Sequence, residues 1–237
     1  MGVLAHRLTL VSFHAACGYP CPLGKWGCGP PRPGTELTTD RNEWDLQYAG
    51  HNLIWSAEPN QFFAAEVAGL PPGRAIDLAC GEGRNAIWLA ANGWDVTAVD
   101  FSQAGLDKAQ SIAAARGVAV TWVLADLLEY GPSPASFDLV AVIYLHLPAP
   151  ARRLVLGRAA DAVAAGGTLL VVAHDKTNLR DGWGGPQDPA VLYGPDDLTA
   201  DLTGLDITRA ERVTRDVVTD LGPKVAIDVL VRATRPA

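Results

Sequence analysis

Two kinds of hydrophobic pattern alternate along residues 58–233 of the chain. Short, continuous apolar runs are typical of strands that are buried on both faces of a sheet. Longer segments with apolar residues three or four positions apart are typical of amphipathic helices. Their alternation predicts an α/β fold with a Rossmann-like, doubly wound sheet. The predicted helices span 58–69, 84–92, 102–116 and 148–165, with a short one from 195, and the predicted strands span 75–78, 95–99, 118–124, 137–144, 168–173, 207–218 and 224–233.

Helix ends and turn residues refine this fold. Ser102 is the predicted N-cap of the helix that follows it, and Gly117 is the predicted end of that helix. The last two strands, 207–218 and 224–233, flank turn-forming residues at 220–223. We therefore expect a seven-stranded sheet closed by an antiparallel C-terminal hairpin, which an ordinary dinucleotide-binding fold lacks.

The first 39 residues differ in composition from the rest of the chain. They are rich in proline and glycine without periodicity, which is typical of irregular or disordered chain. We therefore predict an irregular leader over 1–39 and one domain over 40–237. A metal site in the leader is the alternative, but only one pair of its possible ligands has the close spacing of zinc ligands, so no metal is expected. Those ligands are His14, Cys17, Cys21 and Cys28.

Composition narrows the class of protein. The net charge of −7 over 237 residues argues against a nucleic-acid partner, because phosphate binding needs a basic surface. No apolar stretch approaches the roughly 20 residues that a membrane span requires. The apolar start over 1–11 is too short and too interrupted for a signal peptide. We expect a cytoplasmic enzyme that does not bind a membrane.

The segment between the first predicted strand and its helix carries the most information. It reads Ile-Asp-Leu-Ala-Cys-Gly-Glu-Gly-Arg-Asn over 76–85, and Gly81 and Gly83 lack the Cβ atoms that keep backbone away from a ligand. Asp77 precedes these glycines. Asp100 ends the next strand, where an acid accepts hydrogen bonds from ribose hydroxyls. The arrangement indicates a cofactor that contains a nucleoside.

The same turn favours S-adenosyl-L-methionine over a dinucleotide. Dinucleotide folds use a third glycine at the helix start, where the pyrophosphate lies on the helix N-terminus. No third glycine follows Gly83 at that place. A carboxylate at Asp77 repels a pyrophosphate but holds an ammonium group, directly or through water.

These residues resemble the class I S-adenosylmethionine-dependent methyltransferases. The resemblance rests on residues 77–85 and 99–102. Residues 44–48 and 55–60 are similar to the N-terminal segment of the small-molecule branch that includes the tellurite-resistance and thiopurine methyltransferases. One departure is Ala79, which stands where the first glycine of the motif is often found.

The resemblance implies which residues bind the methionine and ribose parts of the cofactor. Gly81 and Gly83, with Ala79 beside them, admit the methionine part; a purely structural tight turn is the alternative. Asp100, followed by Phe101, clamps the ribose hydroxyls. The alternative for Asp100 is a cap of the helix that follows.

Further candidates lie at the two ends of the cofactor. Asp126 accepts from the adenine amino group while the Leu127 N–H meets a ring nitrogen, and capping of the next turn is a compatible alternative role for Asp126. Trp44 and Tyr48 share a helix face and close over the sulfonium, since aromatic faces attract cations. Core packing is the alternative for Trp44. Tyr144, at the end of the fourth strand, is expected beside the cofactor.

Two histidines are the candidate general bases. His146 follows the fourth strand and His174 follows the fifth, where open α/β sheets hold their ligands. We favour His146, which would stop acting as a base below about pH 6.5 as it protonates, with a helix-capping role as its alternative. Asp175 is a candidate partner of His174, with a role in forming the next turn as the alternative. The loop over 177–193 is a predicted substrate lid, with a plain surface loop as the alternative.

We therefore expect transfer of a methyl group from S-adenosyl-L-methionine to a small-molecule acceptor by in-line displacement. The acceptor atom is an oxygen, a sulfur or a metalloid, and a base is needed only for a protonated acceptor. The alternatives are a binding module that has lost catalysis and an NAD(P)-dependent oxidoreductase. The oligomeric state does not follow from the sequence.

Overall fold

A computed structural model describes residues 41–50, 52–219 and 221–237, so the predicted leader and its possible metal ligands lie outside the described residues. The α-helices are α1 (Arg41–Tyr48), α2 (Gln61–Val67), α3 (Arg84–Ala91), α4 (Gln103–Arg116), α5 (Ala149–Ala162), α6 (Asn178–Asp181) and α7 (Pro195–Asp201), with a 3₁₀ turn at Pro189–Val191. The strands are β1 (Arg74–Leu78), β2 (Asp95–Asp100), β3 (Thr121–Leu124), β4 (Phe137–Ile143), β5 (Val163–His174), β6 (Asp206–Thr219) and β7 (Gly222–Thr234).

The strands form one seven-stranded sheet in the order β3-β2-β1-β4-β5-β7-β6. Strands β1 to β5 are parallel. Strand β7 is antiparallel to β5, and β6 is antiparallel to β7. The predicted doubly wound sheet with a closing hairpin is therefore confirmed. The chain leaves β1 towards one edge and returns at β4 towards the other, so a crevice opens beyond the carboxyl ends of these two strands.

Helices cover both faces of the sheet. On one face Phe63 of α2, Leu89 of α3 and Leu106 of α4 are buried against β1, β2 and β4. On the other face Leu156 of α5 and Leu198 of α7 pack in a second cluster with the remaining strand residues. The parallel strands are therefore buried on both faces, and the sheet holds the residues at its carboxyl edge in fixed positions.

The ends of α4 form as predicted. The Ser102 hydroxyl accepts a hydrogen bond from the Gly105 N–H at 3.1 Å, which satisfies one of the unpaired donors at the helix start. Gly117 ends the helix in the left-handed region, with φ of 68°. These local signals were readable because each acts within three or four residues of the chain.

The start of β5 differs from the prediction. The helix predicted over 148–165 is shorter, because α5 ends at Ala162, and β5 begins at Val163, before the glycines at 166 and 167. The β4–β5 register shifts between Phe137 and Leu139, so the glycines lie in an irregularity of the strand. Gly167 is needed there because a Cβ atom would lie 3.0 Å from the Phe137 carbonyl oxygen.

Hydrogen bonds hold helix α1 and the segment that follows it across the crevice. The Asp45 carboxylate of α1 accepts hydrogen bonds from the Ser102 hydroxyl at 2.5 Å and the Ala104 N–H at 3.1 Å. Downstream, the buried Glu82 carboxylate accepts from the backbone N–H groups of Ile54 and Trp55, at 3.0 and 3.1 Å. Helix α1 and the segment after it are therefore held over the carboxyl edge of the sheet.

Gly83 tests how closely this part of the fold is packed. A Cβ atom at Gly83 would lie 2.7 Å from the Trp122 ring and 2.8 Å from the Ala109 methyl, whereas one at Gly117 would meet nothing within 4 Å. Both glycines have positive φ, 75° and 68°. Gly117→Ala should therefore cost about 1–2 kcal/mol of backbone strain. Gly83→Ala should cost a further 1–3 kcal/mol or so for overpacking.

Urea unfolding of the two variants measures this difference directly. Equal destabilisation by the two substitutions would show that the packing of Gly83 against Trp122 is not tight.

Candidate active site

A cavity of about 560 Å³ lies at the crevice beyond the carboxyl ends of β1, β2, β4 and β5. It is lined by side chains from the sheet edge, from α1 and from the loops that follow β3 and β5. The structure brings eleven of the thirteen predicted site residues to its wall: Trp44, Tyr48, Ala79, Gly81, Asp100, Phe101, Asp126, Leu127, Tyr144, His146 and His174. The other two, Asp77 and Gly83, lie outside the lining residues.

The turn after β1 has the backbone that its glycines predict. Ala79, Gly81 and Gly83 all have positive φ, of 64°, 53° and 75°. Gly81 lines the cavity, and a Cβ atom there would lie 2.6 Å from the Tyr48 hydroxyl oxygen. Gly83 instead packs against Trp122 at the start of α3, so its place is structural, as the alternative reading of the turn had it.

Asp77 is a buried carboxylate without a partner. It is 1% exposed, and neither of its oxygens has a hydrogen-bond partner among the described residues. Burial, followed by repulsion from the Asp100 carboxylate, raises its pKa to about 7, although the Arg84 guanidinium and the nearby Ala86 backbone N–H oppose this rise. An acid in this state favours any cation or donor that reaches it.

Asp100 organises the turn as well as lining the cavity. Its Oδ2 accepts a hydrogen bond from the Gly81 N–H at 2.7 Å, and its Oδ1 accepts one from the Ser102 N–H at 2.9 Å. Burial raises its pKa, while these backbone N–H groups act in the opposite direction. Each carboxylate oxygen can accept more than one hydrogen bond, so capacity for a ligand remains.

The loop after β3 supplies one end of the cavity. Asp126, Leu127 and Phe101 all line it. The Asp126 Oδ1 also accepts from the Leu128 N–H at 2.8 Å, so the predicted turn-capping role is present. Leu127 is buried, with its carbonyl oxygen 3.2 Å from a guanidinium nitrogen of Arg158.

Aromatic side chains form the cover over the turn. The rings of Trp44 and Tyr48 are stacked with centroids 5.5 Å apart, and the Trp55 indole N–H donates to the Tyr48 hydroxyl at 3.4 Å. Sequence reasoning missed Glu82, the acid between the two glycines of the turn. Its carboxylate holds the Trp55 backbone and also accepts from Lys108 at 3.0 Å.

A polar cluster forms the opposite end of the cavity. Tyr144 adopts a φ of 60°, which is unusual for a bulky residue and is tolerated only where the surroundings impose it. Its hydroxyl donates to the Asp228 Oδ2 at 2.7 Å and accepts from Asn60 at 3.3 Å and from Arg215 at 3.1 Å. Burial, followed by the Asp228 charge, raises the Tyr144 pKa. Sequence reasoning missed Asn60, Arg215 and Asp228.

His146 lies in this cluster as a neutral imidazole. Its Nδ1 is 3.0 Å from the Val191 carbonyl oxygen; because a carbonyl only accepts, Nδ1 carries the proton. Its Nε2 is buried and has no partner among the described residues. Burial, and then the neighbouring His174, lower the His146 pKa to about 3. The expected loss of base function below about pH 6.5 is therefore wrong for His146.

His174 lies beside His146 and has a different environment. The two rings are stacked with centroids 5.3 Å apart, and the His174 Nδ1 is 3.0 Å from the Asp228 Oδ1. Asp175 is not the partner of His174, so its alternative role in the next turn is the one present. The Asp175 carboxylate instead accepts from Thr177 and from Arg212, because its side chain leaves β5 in the direction opposite to His174 along the strand.

The predicted lid segment covers the histidines. A Cβ atom at Gly185 would lie 2.6 Å from the His174 ring, so only glycine fits against that ring. Asn178 ties the segment down, donating to the Gly184 carbonyl at 2.8 Å and accepting from the Ile227 N–H at 2.7 Å. Whether the segment opens for a substrate stays a prediction.

Two classes of feature are absent from the described part of the chain. Its histidine, cysteine and acidic side chains include no group of three or more placed to hold a metal ion. None of its helices has the length and apolar character of a membrane span.

Comparison with known proteins finds similarity over part of the chain. Residues 75–167 match the family of methyltransferase domains. An uncharacterised methyltransferase of Mycobacterium tuberculosis is 34% identical over 107 residues, which is 45% of this chain and 53% of that protein. The chain thus spans about half the length of the curated relatives that it matches.

Solved structures share the fold. One, described for the conversion of a disulfide bond into a thioacetal group during echinomycin biosynthesis, has a TM-score of 0.68 at 22% identity and covers 83% of this chain and 91% of its own. The N-methyltransferase NodS from Bradyrhizobium japonicum, in complex with S-adenosyl-L-homocysteine, has a TM-score of 0.60 at 17% identity and covers 83% and 98%.

The matched segment runs from β1 through the glycine turn and β4 into the start of β5, so it contains the carboxyl ends of β1, β2 and β4 that border the cavity. The strand order of the sheet and its C-terminal hairpin agree with this match. Residues 75–167 thus match a methyltransferase domain, and the described residues have the fold of solved methyltransferase structures.

Proposed function

We propose that the protein transfers the methyl group of S-adenosyl-L-methionine to a small-molecule acceptor. The observation that carries this proposal is the cavity at the crevice of the sheet, where Asp100 lines the wall and a partnerless carboxylate, Asp77, lies on the strand that leads into the turn. When bound, the cofactor supplies an electrophilic methyl group on a positively charged sulfur.

The residues of the turn fit such a cofactor. A buried carboxylate without a hydrogen-bond partner costs free energy unless a ligand supplies a donor, and the α-ammonium group of the cofactor is one. Asp77 lies outside the lining residues, so we propose that it reaches the ammonium through a water molecule. Gly81 lines the cavity without a side chain, so its backbone can contact the methionine part.

The rest of the wall fits the nucleoside. Asp100 has unused acceptor capacity for the ribose hydroxyls beside Phe101. We propose that Asp126 accepts from the adenine amino group and that the Leu127 N–H donates to a ring nitrogen. Asp126 uses only one oxygen for the Leu128 N–H, so the two roles do not compete.

The aromatic cover and the polar cluster suit the transfer itself. Trp44 and Tyr48 place aromatic faces over the turn, where they attract a sulfonium and keep water from it. An acceptor then enters between the cover and the cluster of Tyr144, His146 and His174. The volume of about 560 Å³ is in the range of small-molecule sites, which supports a small acceptor over a macromolecule.

Two measurements test this function together. Calorimetry should show one equivalent of S-adenosyl-L-methionine bound and no binding of NADH. A mass-spectrometric screen against phenols, thiols, carboxylates, tellurite and selenite should find an acceptor that gains 14 mass units or so, the mass of a methylene group. Binding without turnover on every acceptor would favour the binding-module alternative.

Cofactor affinity should depend on pH through Asp77. Its pKa is about 7 in the cofactor-free protein, and only its ionised form attracts the ammonium group. Affinity should therefore fall by up to about tenfold per pH unit below pH 7 and level off above it. Calorimetric titrations at several pH values between 5.5 and 8.5 measure this slope.

The Asp77→Asn variant is the control for that titration. It should bind more weakly at pH 8 and show a nearly flat pH dependence between 6 and 8. In the absence of cofactor its Tm at pH 8 should exceed that of the wild type. The raised pKa means that ionising the buried carboxyl destabilises the folded state as pH rises from about 4 to 7. An unchanged slope in the variant would remove Asp77 from the site.

Asp100→Asn should weaken binding of S-adenosyl-L-methionine by about 1.5–3 kcal/mol, because a neutral amide accepts less strongly from ribose hydroxyls. Asp138→Asn is the matched control. Asp138 also accepts from a backbone N–H, that of Arg74 at 2.7 Å, but it lies at the start of β4, away from the cavity. Calorimetry should show no change for Asp138→Asn; equal losses in the two variants would argue against the ribose contact.

A further inference from the structure

Asp228 is a fully buried acid in the middle of the apolar strand β7. Its two oxygens have different neighbours. Oδ1 lies 3.0 Å from the His174 Nδ1. Oδ2 accepts from the Tyr144 hydroxyl at 2.7 Å and from the Arg215 Nε at 2.9 Å. The carboxylate therefore joins a histidine, a tyrosine and an arginine at the end of the cavity where the acceptor enters.

We propose that His174 takes the proton of the methyl acceptor and that Asp228 positions its imidazole and stabilises the imidazolium that forms. This inference rests on the proposed function and narrows its substrate class to acceptors that carry a proton at the reacting atom, a hydroxyl group above all. His174 is the catalytic residue in this assignment, and Asp228 is a positioning residue.

The contact with Asp228 fixes which nitrogen of His174 is free. The Nδ1 lies 3.0 Å from the Asp228 Oδ1, within ion-pair distance, although neither atom has a partner that meets hydrogen-bond geometry. Because an ionised carboxylate only accepts, we infer that Nδ1 carries the proton and that Nε2 keeps the lone pair. Nδ1 is buried, so the part of the ring that lines the cavity is the remainder, which includes the edge beneath Gly185. The basic nitrogen is thereby left for a ligand.

The carboxylate remains ionised at neutral pH. Burial raises the Asp228 pKa, but the contact with His174, the charge of Arg215 and the Tyr144 hydroxyl outweigh it, so the pKa lies below its usual range. His146 has only a carbonyl oxygen at its Nδ1, at 3.0 Å, and no carboxylate to compensate an imidazolium.

The remaining groups around His174 are neutral or already paired. The rings of Tyr144 and His146 lie 4.9 and 5.3 Å from its centroid. Arg215 lies behind Asp228, on its other oxygen. Arg215 and Asp228 carry opposite charges. Protonation of His174 therefore adds one positive charge to the cluster, and Asp228 is the anion in contact with His174.

The bonds formed and broken in the methyl transfer and the proton transfer are as follows. A lone pair of the acceptor oxygen forms the bond to the methyl carbon, and the carbon–sulfur bond breaks with its electron pair left on sulfur. The hydroxyl proton goes to the His174 Nε2, which gives an imidazolium beside the Asp228 carboxylate. That proton returns to water after the product leaves. General-base assistance of this kind contributes about 10²–10⁴-fold to the rate.

A first experiment needs neither cofactor nor acceptor. The ¹⁵N and ¹³C resonances of the histidine side chains, followed from pH 4 to 9 and assigned with His146→Gln and His174→Gln, report where each ring proton lies. The His174 Nε2 should be unprotonated at pH 8. In Asp228→Asn the proton of the neutral ring should lie in part on Nε2, because the carboxylate that holds it on Nδ1 is gone. A proton on the His174 Nε2 of the wild type, or an unchanged proton position in Asp228→Asn, would overturn the inference.

Kinetics on a hydroxyl acceptor, with catechol as the probe, give the second readout. His174→Gln should lower kcat by about 10²–10⁴-fold and leave calorimetric affinity for S-adenosyl-L-methionine within about twofold. Asp228→Asn should lower kcat less and move the acid limb of the kcat–pH profile to lower pH. On thiophenol, which is ionised near neutral pH, the loss in both variants should be much smaller.

Asp175→Asn is the matched control for loss of a buried acid. Asp175 is also fully buried at the end of β5, but it binds Thr177 and Arg212 and does not line the cavity. It should keep the wild-type pH profile. If catechol turnover survives in His174→Gln and is lost in His146→Gln, the assignment is wrong. Failure of every acceptor would refute the proposed function, while the resonances would still decide the state of His174.

Discussion

The Asp100 carboxylate is the contact on which the geometry of the site depends. By accepting from the Gly81 N–H and the Ser102 N–H, it joins the turn after β1 to the start of α4. Ser102 in turn donates its hydroxyl to Asp45 of α1, and Tyr48 at the end of α1 lies over Gly81. This ring of contacts closes on itself, so the cover, the turn and the nucleoside end of the cavity are positioned as one unit.

Three buried acids around the cavity serve different purposes because their surroundings differ. Asp228 is surrounded by donors, so its negative charge is stable and is available to a neighbouring imidazole. Asp100 uses backbone N–H groups and keeps spare acceptor capacity. The oxygens of Asp77 have no partner that meets hydrogen-bond geometry among the described residues, and only the Ala86 N–H and the Arg84 charge stabilise its ionised form. Burial of this carboxyl costs free energy that a bound ammonium group would recover.

Much of the fold and the cofactor end of the site could be predicted from the sequence, because their signals are local. The caps at Ser102 and Gly117 and the glycine turn each act within a few residues. The predicted start of β5 was wrong because a pair of glycines can either end a helix or permit an irregularity in a strand. Only the register with β4 decides between these two roles. The partner of His174 could not be predicted because Asp228 is 54 positions away in sequence. The two residues meet only in the β5–β7 pair, where they are opposite each other. A lone acid in the apolar run of β7 was the available signal.

The crystal structure of the protein with S-adenosyl-L-homocysteine tests the account most directly. We predict ligand density in the cavity of about 560 Å³, with the ribose hydroxyls in contact with Asp100. The adenine should lie between Phe101 and Leu127, and the sulfur should face the cluster of His146 and His174. Density elsewhere on the molecule, or a ribose that does not contact Asp100, would contradict it.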